Sequence, residues 1–176
     1  VLVGEDENPS FEDGETIYFL ADCRHRDIGS VSERVKHVLI EHAQIIEESG
    51  FFACNRHYRF LNSLWLPKCS EVRDGGLNNS PSLSRTVLPV ATLIGACAFG
   101  GCGSLKTVIL PAVKEIDFGA FLVCRSLTMI SLSAVKLIGH AAFKNCESLT
   151  TIALPAASRI GDCAFEGCES LATISL

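Results

Sequence analysis

Cysteine is the residue type most able to do chemistry in this chain, which carries nine of them in 176 residues. Metal ligation would need thiolates grouped at short spacing. The closest pairs, Cys97 with Cys102 and Cys163 with Cys168, each enclose four residues, not the two of a structural zinc site. His37, His42 and His57 share no motif with a Cys or Ser nucleophile, so Cys-His catalysis has no constellation to stand on. His25-Arg26-Asp27 has the face of a kinase catalytic-loop triplet, but Ser32 stands where the metal-binding Asn belongs. No glycine-rich loop or Asp-Phe-Gly accompanies it, and the chain is too short for a kinase. Asn78-Asn79-Ser80 has the pattern of a glycosylation sequon, followed at once by Pro81. The sequence therefore predicts no catalytic residue, no cofactor site and no metal site.

Charge narrows the partners. With 15 Lys and Arg against 20 Asp and Glu, the net charge of -5 leaves no electrostatic footprint for nucleic acid or for an anionic membrane. The imbalance lies in residues 1 to 86, which hold nine bases and fourteen acids; residues 87 to 176 hold six of each. Glu5, Asp6, Glu7, Glu12, Asp13 and Glu15 crowd the start beside Asn8, Pro9 and Gly14, so residues 1 to 14 are expected to be an acidic arm or linker. The first residues are acidic where a secretory signal would be basic and then apolar. Thr86 to Leu105 is uncharged over twenty residues, about the length of a bilayer core, but Pro89 and four glycines interrupt it. The same segment also falls in register with later charged ones, and no membrane span is expected.

That register is the main feature of the sequence. Ala98-Phe99 recurs as Ala120-Phe121, Ala142-Phe143 and Ala164-Phe165, each 22 residues after the last. Cys102, Cys124, Cys146 and Cys168 keep the same step, as do Leu105, Leu127, Leu149 and Leu171, with Ile94, Ile116, Ile138 and Ile160 upstream. Chance does not hold four columns in phase. The two Cys pairs thus sit three repeats apart, roughly 14 Å at one strand spacing per repeat, and cannot share an ion. The Cys column is predicted to be buried, small, reduced side chains.

Each unit reads Leu-x-x-Val/Ile-x-Leu and usually then Pro, as in Leu105, Val108, Leu110 and Pro111. Its period of two puts Val108 and Leu110 in the core and Thr107 and Ile109 outward, and the proline ends the strand. The rest of the unit, such as 116 to 124, is too short for a full helix; it suits a short strand and then one helical turn. A unit of this size cannot bury both layers alone, so repeats must stack strand beside strand at ~4.8 Å into a curved solenoid with a parallel inner sheet. Seven strands are expected, at 35 to 40, 61 to 66, 83 to 88, 105 to 110, 127 to 132, 149 to 154 and 171 to 176. Gly76-Leu77 and Ser80 replace Ala-Phe and Cys in one early repeat. Four residues are inserted between Cys54 and Leu61, most simply within Arg56 to Arg59. Thr16 to Leu20 adds an eighth strand, and Ser30-Val31-Ser32-Glu33 has the form of a capping box. Residues 15 to 34 are accordingly expected to be an N-terminal cap or degenerate repeat, and 35 to 176 the solenoid.

The motif Ile-Gly-x-x-Ala-Phe-x-x-Cys-x-Ser-Leu-x-x-Ile-x-Leu-Pro, nearly complete in Ile160 to Leu171, resembles the BspA-like leucine-rich repeat of bacterial and protist surface proteins. The resemblance covers residues 35 to 176. It implies an α/β, right-handed leucine-rich-repeat solenoid of 22-residue repeats, with a parallel concave sheet and short strands and helical turns on the convex side. It also implies roles in adhesion or recognition and supplies no catalytic residues. It points to the outside of the cell, whereas an odd, thiol-rich cysteine count fits a reducing interior.

The outward strand columns are where recognition is expected. One reads Leu39, Trp65, Val87, Ile109, Ser131, Ala153, Ser175, and its neighbour His37, Ser63, Arg85, Thr107, Met129, Thr151, Thr173. An exposed run of Leu, Trp, Val and Ile beside Arg85 has the composition of a binding hot spot, so His37, Leu39, Trp65, Arg85, Val87, Ile109 and Met129 are the predicted partner-binding surface. Alternatively, the insertion near Arg56 or the N-terminal arm covers this strip. The expected function is a non-enzymatic scaffold for a protein or cell-surface ligand, adhesin or receptor-like. The competing expectation is a structural or regulatory arm of a larger protein whose catalytic domain lies outside this chain. Ile174 and Leu176 end the sequence in core columns without a polar cap, which predicts a longer array and end-to-end self-association of this stretch.

Overall fold

The computed structural model of the chain describes the strands Ile17–Phe19 and His37–Leu39, residues 44–46 and residues 61–176. Its strands in chain order are β1 (Ile17–Phe19), β2 (His37–Leu39), β3 (Ile45–Ile46), β4 (Ser63–Trp65), β5 (Glu71–Val72), β6 (Arg85–Val87) and β7 (Leu93–Ile94). They continue with β8 (Thr107–Ile109), β9 (Glu115–Ile116), β10 (Met129–Ser131), β11 (Leu137–Ile138), β12 (Thr151–Ala153), β13 (Arg159–Ile160) and β14 (Thr173–Ser175). All pairings are parallel. The three-residue strands form a first sheet in the order β1-β2-β4-β6-β8-β10, with β12-β14 continuing the series, and the two-residue strands form a second sheet β3-β5-β7-β9-β11-β13. Each turn of this solenoid contributes one strand to each sheet. Arg85 pairs with Thr107 and Thr107 with Met129, the 22-residue step of the sequence. His37 pairs with Ser63 and Ile46 with Val72, a step of 26, which places four extra residues between Ile46 and Leu61. The eighth strand is present as β1, paired with β2. Hydrogen bonding in the first sheet is interrupted between β10 and β12, while the second sheet runs on from β9 through β11 to β13.

The core consists of columns, because every repeat delivers the same side chain to the same depth. Leu83, Leu105, Leu127 and Leu149 are fully buried, as are Phe99, Phe121 and Phe143. Successive phenylalanine rings lie parallel at 5.1, 5.2 and 5.4 Å between centroids from Phe99 to Phe165. One column departs from its type: Leu64, Val108, Ile130 and Ile152 flank a threonine, Thr86, that is equally buried. The Thr86 hydroxyl has no hydrogen-bond partner. A buried hydroxyl without a partner costs about 1–3 kcal/mol, and valine has the same shape without it. Thr86→Val is therefore expected to stabilise the protein by about 1–2 kcal/mol, read as a higher denaturant midpoint; a lower midpoint would show that the hydroxyl is bonded.

The expected helical turn is corrected. Among the described residues there is no helix; the arcs after β5, β7, β9, β11 and β13 are runs of tight turns. Two columns in these arcs have left-handed backbone: Gly75, Cys97, Gly119, Ala141 and Cys163, and then Asn79, Gly101, Val123, Asn145 and Gly167. The cause lies in where the amide hydrogens go. Cys97, Phe99 and Gly101 donate to the carbonyls of Phe118, Ala120 and Leu122 in the next repeat at 2.8–2.9 Å, and the residues between them close short turns. A helix would direct all of these amides along its own axis; here alternate ones bond the neighbouring repeat.

Candidate protein-recognition face

The first sheet holds the expected surface together. Leu39, Trp65, Val87, Ile109 and Ser131 are consecutive register partners across β2, β4, β6, β8 and β10, and so are His37, Ser63, Arg85, Thr107 and Met129. Five parallel strands thus line up all seven predicted residues in two adjacent rows. For His37 and Leu39 this holds at the level of the backbone, their side chains lying outside the described residues. Arg85 and Met129 are exposed, Met129 at 58%. Trp65, Val87 and Ile109 are half-buried within this row. In-register neighbours one strand spacing apart shade one another. The result is a low apolar ridge held by the core beneath it, with the Arg85 guanidinium beside it. His25, Arg26, Asp27, His42, His57, the arm at 1 to 14 and the capping box at Ser30 lie outside the described residues.

Sequence reasoning missed a second concavity. Leu93, Glu115, Leu137 and Arg159 are register partners on the outer face of the second sheet, and they border an open groove of about 400 Å³. At its edge the Phe118 ring, 47% exposed, stacks on His140 at 5.7 Å. The signal was present, since Phe118 and His140 are themselves 22 residues apart, but both stand outside the Ala-Phe frame.

The repeated cysteine column is part of the packed core. Cys102, Cys124, Cys146 and Cys168 are all free thiols, the first three fully buried and the last partly. They are more than small apolar fillers. Each Sγ donates to a carbonyl of the preceding repeat: Cys102 to Leu77, Cys124 to Phe99, Cys146 to Phe121 and Cys168 to Phe143, at 3.1–3.2 Å. Burial pushes the Cys102 thiol up to about 12, and raises that of Cys124 well above its ordinary value. Cys163 is exposed, and its hydrogen bond with the Glu166 carboxylate raises its pKa. Since only the thiolate reacts, native Cys102, Cys124 and Cys146 should resist a thiol reagent at neutral pH, whereas Cys163, slowed by its raised pKa but open to solvent, should still be labelled ahead of them. Residue-resolved labelling checks this, and modification of the buried column without denaturant would contradict it. Among the described residues no group of three or more His, Cys, Asp or Glu is placed to hold a metal ion, and no helix is long and apolar enough to cross a membrane.

Comparison with known proteins agrees with this architecture. The chain is similar to a leucine-rich repeat protein of T. pallidum, TpLRR, with a TM-score of 0.63 and 34% identity over 65% of this chain and 58% of that one. A leucine-rich repeat protein from Bacteroides ovatus shares the fold, with a TM-score of 0.59 and 22% identity over 81% of this chain and 49% of that one. The chain therefore spans about half to three-fifths of the length of these two proteins. No match is found among curated proteins. The sequence profile of the BspA type leucine rich repeat region matches residues 70–176 in six copies. With more than half of its residues in that match, the chain belongs to the BspA-type leucine-rich repeat family.

Proposed function

We propose that this chain is a non-enzymatic recognition scaffold, adhesin or receptor-like, that binds a protein or cell-surface ligand on the outward face of its first sheet. Leucine-rich repeats are in general protein-interaction scaffolds, and fold alone names no partner. The observation that carries the proposal is the row Trp65, Val87 and Ile109, in register across three strands and flanked by exposed Arg85. Tryptophan and arginine dominate binding hot spots, and a ridge fixed by a close-packed core loses little side-chain freedom on binding. The test is site-specific photocrosslinking in extract of the source organism, with the reactive group at Val87 and, as a control, at Leu137 on the second sheet. A partner captured from Val87 and not from Leu137 supports the proposal; capture from Leu137 alone would move recognition to the other face.

A further inference from the structure

We infer that the partner of the first-sheet face is a protein segment that carries carboxylates beside an aliphatic or aromatic side chain. This rests on the recognition face proposed above and adds the chemistry of what it takes. The distribution of charge is the main observation. Residues 62–68, 84–90, 106–112, 128–134, 150–156 and 172–176, which include the first-sheet strands β4 to β14 and their flanks, contain no Asp or Glu. The same stretches contain Lys68, Arg85 and Lys106. The protein is acidic overall, so the lack of carboxylates from β4 onward is a local exception; the matching stretches around β1 and β2, residues 16–22 and 36–42, carry Asp22 and Glu41. From Leu61 onward every carboxylate lies in the second sheet or in the arcs, three of them, Glu115, Asp117 and Asp162, around the second-sheet groove.

All three cations are exposed, and two of them, Arg85 and Lys106, are neighbours along the backbone register. Arg85 pairs in register with Thr107, the residue after Lys106, and the Lys106 amide donates to the Ser84 carbonyl at 2.8 Å. Among the described residues neither side chain has an ion-pair partner, whereas Arg73–Glu71, Arg125–Glu147 and Lys144–Glu166 pair off this face. A guanidinium fork and an ammonium at adjacent backbone positions, with no counter-charge among the described residues, suit a carboxylate, which arginine can hold through two parallel hydrogen bonds. The adjacent row of Trp65, Val87 and Ile109 asks for an apolar group one to two strand spacings away. An extended acidic and apolar segment laid across β4, β6 and β8 meets both demands. Nucleic acid does not fit as well. It needs a track of cations along the surface, and after Lys106 the same columns continue as Thr128, Met129, Thr150 and Thr151.

The experiment uses the full 176-residue chain and four defined polymers: a random copolymer of Glu and Tyr, poly-Glu, poly-Lys and oligothymidylate. The Glu-Tyr copolymer should bind tightest, with an affinity that falls as salt rises. The double variant Arg85→Glu, Lys106→Glu should lose at least about tenfold, and Arg85→Gln, a milder change at an exposed position, should lose part of that. Trp65→Ala should bring the copolymer down to the level of poly-Glu. The inference is overturned if the copolymer does not bind, if charge reversal leaves its affinity unchanged, or if poly-Lys or oligothymidylate binds as tightly. Failure here is distinct from failure of the recognition face: a partner that crosslinks at Val87 but ignores charge reversal would sink the acidic segment and leave the face standing.

Discussion

Replacing Phe121 with Ala should destabilise the solenoid by about 3–5 kcal/mol. The ring is fully buried between Phe99 at 5.1 Å and Phe143 at 5.2 Å. In a globular core a neighbour can lean into such a cavity. Here each neighbour is held at its own height by inter-repeat hydrogen bonds, Phe99 to Ala120 and Phe143 to Ala164 at 2.8 Å, so the hole stays open. Phe118→Ala is the control, since that ring is 47% exposed and stacks on His140 at the surface. It should cost less than about 1 kcal/mol. Urea unfolding followed by circular dichroism separates the two, and comparable losses would mean that the phenylalanine column is not the mechanical axis of the core.

Gly139→Ala should cost about 1–3 kcal/mol, for the opposite reason of too much matter. A Cβ on Gly139 would lie 2.6 Å from the Asp117 carbonyl carbon and 2.7 Å from the Phe118 nitrogen, both backbone atoms of the preceding repeat. No rotamer change relieves a contact with backbone, so the repeats must separate. The Gly139 amide bond to the Ile116 carbonyl, 2.7 Å, resists that separation. Asp117 shows that the same column tolerates a side chain where the local backbone has been set for one, which keeps the expected penalty moderate. Gly103→Ala provides the contrast, having nothing within 4 Å of its added Cβ. If both alanines are equally harmless, the close approach of repeats at the Ile-Gly step is not what holds their spacing.

Much of the architecture was legible because a solenoid repeats its own instructions. One column, Ala98-Phe99 and its successors, sets the step, and the step alone yields the parallel register Thr107 to Met129 and the direction of Val108 and Ile109. The arcs were misread as helical turns for a physical reason. Their residues, such as Cys97, Val123 and Ala141, adopt left-handed backbone at positive φ, a state that none of these residue types favours in isolation. Bonds to the next repeat impose it, and local propensity carries no trace of them. The recognition rows were legible as an order of residues, but not as an exposure: shading of Trp65, Val87 and Ile109 by their register partners is a property of the stack. The same limit applies to the cysteine column. Burial follows from its period, whereas the thiol-to-carbonyl bonds of Cys124 to Phe99 and Cys146 to Phe121 depend on geometry between repeats.

The central claim is that the first sheet, not the second, is the surface this protein offers to a partner. The most direct measurement is the affinity of the partner captured at Val87 for two single variants, Trp65→Ala on the first sheet and Phe118→Ala on the second. Trp65→Ala should lose about 2 kcal/mol of binding, roughly 30-fold, while remaining folded, and Phe118→Ala should keep its affinity. Full affinity in Trp65→Ala together with a comparable loss in Phe118→Ala would contradict it and place recognition on the groove of the second sheet.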